Sequence, residues 1–490
     1  MPAPALRKIT AAALAGAASL ALSACASIPG ANVAPGSPIT AEEAQQGAQY
    51  HEQFVAEFGG EMTGPQARYV EQVGSNIAIQ SGLANSASAF DVTLLNSSVN
   101  NAFAVPGGYV YATRQLVNLM NNEAELAAVL GHEVGHVAAR HSARRQQAAQ
   151  RNQLLGLLGT IIGGAVLGSP ELAQLSQQGA QALTLSYSRS QELEADELGV
   201  QYLNRAGYDP NAMATLLASL AAQNQLDAQL QGRNNATIPE WASTHPDPAS
   251  RVRNAQQLAA GGTGRLNRDV FMRNIDGMIY GDDPEQGVIE GRQFIHPILR
   301  FTFTAPQGTY MVNGTRAVSI NGDRGRSQLT LAPFNGDLGA YVQTVFSRIG
   351  GEQQQLRPQN IQRTTVNGLP AAYGTARVNN GQQQVDVTVF AYQFGNDQAF
   401  HFQSITPAGQ AGTFNSLYES MRRISASEAG SVIPRRIDIV TAGPNDSVAS
   451  MARRMAYDTG QEARFRVLNG LGSSGQVRPG QNYKIVVRQN

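Results

Sequence analysis

The residues able to do chemistry gather in two short stretches, His132-Glu133-Val134-Gly135-His136 and, after a long gap, Glu192-Leu193-Glu194-Ala195-Asp196. On a helix, His132 and His136 stand at i and i+4 and project from one face, so both imidazoles reach a single metal ion. Glu133 lies on the same turn, near enough to take a proton from water held by that metal. Zinc suits this set because it takes neutral imidazole nitrogens plus a carboxylate and leaves a fourth position for water. It lowers the pKa of that water from about 15.7 toward about 7, so a carboxylate can remove the proton at neutral pH. The chemistry implied is hydrolysis assisted by one Zn2+ per chain.

Stepping outward from these groups, Asn122 can cap a helix, with Glu125 three residues on completing a capping box. Leu126, Val129 and Leu130 then form an apolar stripe leading into His132 and His136. A second helix, from about 190 to 204, carries Glu192 and Asp196 at i and i+4, with Leu193, Val200 and Leu203 toward the core and Glu192 toward the metal. Asp196, one turn on, can accept a hydrogen bond from a liganding His and fix its tautomer. The plain alternative is that Glu192, Glu194 and Asp196 form a solvated acidic face.

The run Ser188-Arg189-Ser190-Gln191-Glu192-Leu193-Glu194-Ala195-Asp196 after HExxH resembles the gluzincin metallopeptidases of the HtpX/BepA and CAAX-prenyl-protease type. Asn101-Ala102-Phe103-Ala104-Val105-Pro106-Gly107-Gly108 before the metal helix and Ser243-Thr244-His245-Pro246 after it belong to the same resemblance, which covers about residues 40 to 260. It implies His132, His136 and Glu192 as zinc ligands and Glu133 as general base. Glu192 is preferred because it stands four before the Asp, with Glu194 the weaker candidate. It also implies that Asn101 to Ala104 form an edge strand that pairs with substrate backbone; an ordinary edge strand is the equal alternative.

With 490 residues the chain is long enough for more than one domain, and its 36 Lys+Arg against 36 Asp+Glu leave no basic excess for nucleic acid. Residues 1–24 read as an export signal: Arg7 and Lys8 precede an apolar run, Ala11 to Leu22, too short to span a bilayer. Leu22-Ser23-Ala24-Cys25 resembles a lipobox, making Cys25, the only cysteine, the expected lipidation site. Ala26 after it implies, by the same resemblance, the outer membrane. Residues 25–39 are a flexible tether.

The fold class expected is α+β. A mainly helical metallopeptidase domain with a small edge sheet covers 40–262, with helices at about 41–57 and 65–81 and strands at 90–95 and 102–111. His141 falls off the ligand face of the metal helix and reads as a surface residue or an outer partner of the site. The apolar run Leu154–Leu167 reads as a packed hairpin in preference to a lid. Residues 263–290 form a connector. Residues 291–427 form an α+β domain that weakly resembles the PsbP-like fold, with a strand through Val385, Val387, Val389 and Ala391 and helices at about 337–349 and 412–423. His296 and His401 are read as structural. Residues 434–490 resemble a LysM module of βααβ order, on Asn445 to Ala452, Leu468 to Leu471 and Val477 to Gln481; Asn445 stands where that family usually has Gly.

Together these features point to a zinc endopeptidase tethered by Cys25 to a bacterial envelope membrane and facing the periplasm. Its expected substrates are misfolded or unassembled envelope proteins, and the LysM-like module implies peptidoglycan as a further partner. The alternative is a non-proteolytic chaperone or scaffold for outer-membrane or cell-wall assembly. His245, in a turn between Thr244 and Pro246, has three readings: a latch that fills the water position on zinc, a donor to the oxyanion, or a structural turn residue.

Overall fold

A computed structural model describes residues 33–146, 187–230, 245, 248–314, 316–350, 356–379 and 384–489. The signal segment with Cys25, the Leu154–Leu167 run and the immediate neighbours of His245 lie outside the described residues. Helix α1 (Ala41–Glu57) starts in the expected capping box: the Thr40 hydroxyl accepts from Glu43 N, and Thr40 N donates to the Glu43 carboxylate at 2.9 Å. Helix α2 (Pro65–Ala78) opens with Pro65 at its first position, where the missing N–H would have had no partner. Strands β1 (Asp91–Leu95), β2 (Ala102–Val105) and β3 (Tyr109–Thr113) form a sheet of order β1-β3-β2, with β3 parallel to β1 and antiparallel to β2. The chain returns between β2 and β3 through Gly107 and Gly108, whose φ values of +96° and +89° glycine adopts without steric cost. From α1, Phe54 and Phe58 pack on Phe103, Val105 and Tyr111 across one face of the sheet. The other face joins the main core.

After the short α3 (Arg114–Leu119), helix α4 (Glu123–Ala138) carries HExxH and is buried along nearly its whole length. An all-round buried helix sits at the centre of a domain, not at its surface. The Asn122 side chain accepts from Glu125 N at 2.9 Å, but Glu125 reaches back to Asn121 N at 2.8 Å, one residue before the position a capping box would use. Helix α5 (Arg189–Arg205) starts at Ser188 in a reciprocal box with Gln191. Helices α6 (Ala212–Leu230) and α7 (Pro248–Leu258) follow. Bare backbone lets α4 and α5 approach closely. A Cβ on Gly135 would stand 3.1 Å from Ala195 O, and one on Gly199 would stand 3.2 Å from His132 N.

Helix α8 (Arg268–Ile275) leads into the sheet-rich half. A four-stranded sheet of order β14-β6-β5-β4 uses β4 (Val288–Glu290), β5 (Gln293–His296), β6 (Phe301–Thr304) and β14 (Arg422–Arg423). A seven-stranded antiparallel sheet runs β10-β11-β12-β13-β9-β8-β7, from β7 (Thr309–Asn313), β8 (Val318–Gly322), β9 (Gly325–Pro333), β10 (Ile361–Val366), β11 (Leu369–Asn379), β12 (Gln384–Gln393) and β13 (Gln398–Pro407). Helix α9 (Leu338–Gly350) packs on one face of the larger sheet through Val342, Val345 and Phe346, against Val385, Val387, Val389 and Ala391. These are the residues whose alternation marks that strand in the sequence. The helix expected at 412–423 is shorter: a 3-10 turn, then α10 (Asn415–Ser420), after which Arg422 and Arg423 pair with β6. His401 is buried and bonded to the Tyr341 hydroxyl at 2.8 Å, a packing role.

The last element group is β15 (Arg435–Thr441), α11 (Val448–Ala452), α12 (Gln461–Leu468) and β16 (Asn482–Arg488), with β15 and β16 antiparallel. It does not stand apart. Ile437, Met451, Phe465, Leu468, Ile485 and Val486 share one continuous core with Leu126, Val129, Leu130 and Met213. Lys484 is buried, and its ammonium donates to the carbonyls of Asn118, Leu119 and Met120 at the end of α3, the first at 2.8 Å.

Gly135→Val would drive two branched methyls into the backbone of α5. Overpacking of this kind costs about 1–3 kcal/mol. Urea unfolding should show that loss, and a variant as stable as the parent would mean the helices are not held at backbone contact.

Candidate metal centre

Four of the chain's seven histidines, His132, His136, His141 and His245, lie within one buried knot. Helix α4 brings His132 and His136 one turn apart with their Nε2 atoms 3.0 Å from each other. Across the glycine contact, α5 supplies Glu192, whose Oε1 lies 3.3 Å from His136 Nε2 and Oε2 3.7 Å from His132 Nε2. His245 joins from the segment before α7, with Nδ1 3.3 Å from His132 Nε2 and 3.1 Å from Glu192 Oε1. One candidate ligand atom from each of these four residues lies within 4.8 Å of all the others. Glu194, the weaker ligand candidate, is not among them; it stands outside, bonded to His141 and Arg144.

The far side of His132 is held as the i, i+4 spacing of Glu192 and Asp196 suggests. Asp196 Oδ1 lies 3.0 Å from His132 Nδ1. Arg251 Nη2 also lies 3.4 Å from the same nitrogen. A guanidinium only donates, so Nδ1 cannot serve both; the shorter contact to a carboxylate assigns it as N–H donating to Asp196. That tautomer leaves the Nε2 lone pair of His132 facing the cluster. Arg251 is 1 % exposed and donates to both Asp196 and Glu192.

Charge accounts for what the cluster can hold. Glu133, Glu192 and Asp196 are all buried, and Arg251 is the buried cation that contacts two of them. With the three carboxylates ionised and the histidines neutral, as metal ligation requires, the described groups sum to −3 + 1 = −2. In the metal-free set burial lowers the His245 imidazole but Glu192 and Glu133 raise it further, so a proton there offsets part of that charge. Unbalanced charge in a protein interior costs several kcal/mol per ion, and a divalent cation cancels this sum. Both oxygens of Glu133 are buried and have no hydrogen-bond partner among the described residues. The nearest approach to them is His245 Nε2, 3.5 Å from Oε1. Orphaned acceptors of this kind mark a place for a water or ion. Nitrogen and carboxylate donors, with second-sphere carboxylate support, fit zinc.

The two carboxylates nearest the clustered imidazoles are driven apart. Burial raises the Glu133 carboxyl above the usual range, although the charges of His245 and His132 oppose it. Burial pushes Glu192 the same way, but His245, His136 and Arg251 outweigh it and hold that carboxyl well below the usual range. A group kept ready to take a proton therefore sits beside one kept ionised.

Two further side chains back His136, and the first, Tyr187, carries no signal in the sequence. Tyr187 lies flat on His136, ring centroids 3.7 Å apart at 18°, and Arg145 covers its outer face at 3.7 Å. His141, read in the sequence as a surface residue or an outer partner of the site, is fully buried with Nδ1 2.7 Å from His136 Nδ1, and it lies outside the candidate ligand set. The chain breaks at Arg140, with φ +55°, and the next turn folds His141 back onto His136. A helical wheel cannot show that return.

Residues 65–259 match the family model described as Peptidase family M48. The chain is 38% identical over 200 residues to the beta-barrel assembly-enhancing protease of Yersinia pestis, an overlap of 39% of this chain and 38% of the relative. Against the protein of the same description from Escherichia coli (strain K12) it is 38% identical over 177 residues, 35% of this chain and 34% of the relative. It is 30% identical over 212 residues to the mitochondrial metalloendopeptidase OMA1 of Schizosaccharomyces pombe, 42% of this chain and 58% of that one. The chain thus spans about a third of the length of the bacterial relatives, and the family match over residues 65–259 contains the whole cluster described above. This chain carries a domain of peptidase family M48, a family of zinc metallopeptidases.

Proposed function

We propose that the protein is a zinc endopeptidase of the bacterial envelope, with His132, His136 and Glu192 as metal ligands and Glu133 as general base. The observation that carries this reading is the buried set of three carboxylates against one guanidinium, with the orphaned Glu133 oxygens at its edge. Bound zinc supplies Lewis acidity to the scissile carbonyl and lowers the pKa of water. Glu133 then takes the water proton and passes it to the leaving amine. Asp196 holds His132 in its Nε2-accepting tautomer, and Arg251 keeps Glu192 and Asp196 ionised. The outer edge of β2, unpaired among the described residues and continuing from Asn101, serves to align an extended peptide by backbone pairing. A holdase or scaffold would have no use for a buried water-activating set, so the proteolytic reading is preferred.

The remaining assignments belong to the same proposal. Residues 1–24 are a lipoprotein signal, Cys25 carries lipid at the outer membrane, and residues 25–39 tether the peptidase domain, 40–262, in the periplasm. Misfolded or unassembled envelope proteins are the substrates; relatives described as beta-barrel assembly-enhancing proteases support this choice. Beyond the 263–290 connector, residues 291–427 are read as PsbP-like and 434–490 as LysM-like with peptidoglycan as partner. Strand order β15-α11-α12-β16 supports the latter.

His245 is read as a latch. Its Nδ1 lies among the candidate ligand atoms and its Nε2 faces Glu133, where water must stand for the base to act.

Glu133→Gln should retain one zinc per chain and lose casein cleavage by about 100-fold or more, the usual scale of general-base catalysis. Cleavage by this variant at the parent rate would remove Glu133 from the base role. His245→Ala should raise turnover with zinc retained. A fall in turnover with zinc retained would reassign it as a transition-state donor, and unchanged turnover with a lower melting temperature would leave a structural role. Cys25→Ala should move an exported protein from the membrane to the soluble periplasmic fraction; persistence in the membrane fraction would place the attachment elsewhere in the chain.

A further inference from the structure

His136, one of the four clustered residues, has a second imidazole on its distal nitrogen. Its Nδ1 lies 2.7 Å from His141 Nδ1. His141 Nε2 in turn lies 3.1 Å from Glu194 Oε2, and the same oxygen accepts from Arg144 Nη1 at 3.0 Å. Two ring nitrogens at 2.7 Å cannot both present lone pairs, so one donates. Which one is decided from both ends of the chain. At one end, a ligating His136 presents the Nε2 lone pair to the metal, so its proton is on Nδ1 and Nδ1 donates. At the other end, Glu194 is a carboxylate and accepts, so the His141 proton is on Nε2 and its Nδ1 accepts. The two requirements agree, and only one proton arrangement satisfies both.

We propose that His141 and Glu194 are positioning residues for the metal ligand His136: a relay, Glu194 to His141 to His136, that fixes the ligand's tautomer and ring orientation. The inference rests on the reading of His136 as a zinc ligand. It makes the two ligands of HExxH equivalent in design but different in parts. His132 is held directly by Asp196, and His136 is held by a carboxylate acting through a second imidazole. The second imidazole spans a gap that the carboxylate cannot, because Glu194 projects from the partly solvated side of α5 while Glu192 occupies the buried side. Tyr187 stacks on the His136 ring and leaves rotation in its own plane as the freedom the relay removes. His141 has both nitrogens engaged, and neither it nor Glu194 belongs to the candidate ligand set.

The test is zinc affinity of the full-length protein, measured by competition with a chromophoric chelator, beside the melting temperature of the metal-free form. Loss of an outer partner of a liganding His weakens metal binding by about 10–100-fold. His141→Phe, which keeps a ring and removes both nitrogens, should fall in that range. Glu194→Leu should fall near its lower end and Glu194→Gln should lie between Leu and the parent, since an amide oxygen still accepts but carries no charge. Glu194 is 41 % exposed on its side chain, so its variants fold, and their metal-free melting temperatures should match the parent. The cobalt-substituted forms should show a changed visible spectrum in His141→Phe and Glu194→Leu. Affinities within twofold of the parent in both variants would overturn the relay, as would losses that track a lowered metal-free melting temperature. His136→Ala separates the two readings. If the parent binds one zinc and His136→Ala does not, the ligand assignment stands whatever the relay variants do. If His136→Ala binds like the parent, the assignment itself fails and the relay with it.

Discussion

Like charge buried at close range is the constraint on which this structure depends. Glu133, Glu192 and Asp196 lie in one water-excluded knot with Arg251 as the cation at its centre. Such a set is costly unless it is neutralised and hydrogen-bonded. Every nearby element contributes to that end. Helix α4 supplies two imidazoles, α5 two carboxylates, α7 the guanidinium, and the turn after α4 a further imidazole. The positive charge still missing is that of a divalent cation, so metal binding and the stability of this domain are linked.

Holding these groups together requires two helices at backbone contact. Gly135 and Gly199 stand where α4 and α5 cross, and a Cβ at either position meets backbone. Larger residues would move Glu192 away from the histidines, and ligand geometry tolerates little displacement. The other end of α4 is held too. Arg140, at its C-terminal break, is buried in an ion pair with Glu43 and donates to the carbonyls of Ser37 and Pro38. The segment leading out of the proposed tether is therefore seated against the helix that carries the site.

The C-terminal βααβ unit extends the same core. Lys484 is one of only two lysines in a chain that otherwise uses arginine, the other being Lys8. Burial lowers its ammonium to about 7, against the charge of Glu125. A compact ammonium can meet three convergent carbonyls in a space that a planar guanidinium would not fit. Glu125 lies in the first turn of α4, so its charge couples the unit electrostatically to the start of that helix.

The local part of this protein was decided by its sequence. The i, i+4 histidines, Glu133 one residue on, the Thr40–Glu43 box and the alternation through Val385 to Ala391 are properties of neighbours along the chain. Helix and strand periodicity make them readable. The pairing of Glu192 with Asp196 was readable for the same reason. What the tertiary structure alone decided lies wherever the chain turns back on itself. His141 reads from the sequence as either a surface residue or an outer partner of the site, and a single left-handed residue at Arg140 decides between them by returning it to His136. Arg251, Tyr187 and Lys484 carry no local signal at all. Arg251 reaches Asp196 across 55 residues, Tyr187 reaches His136 across 51, and the Lys484 ammonium reaches Asn118 across 366, and only the packed core brings them together.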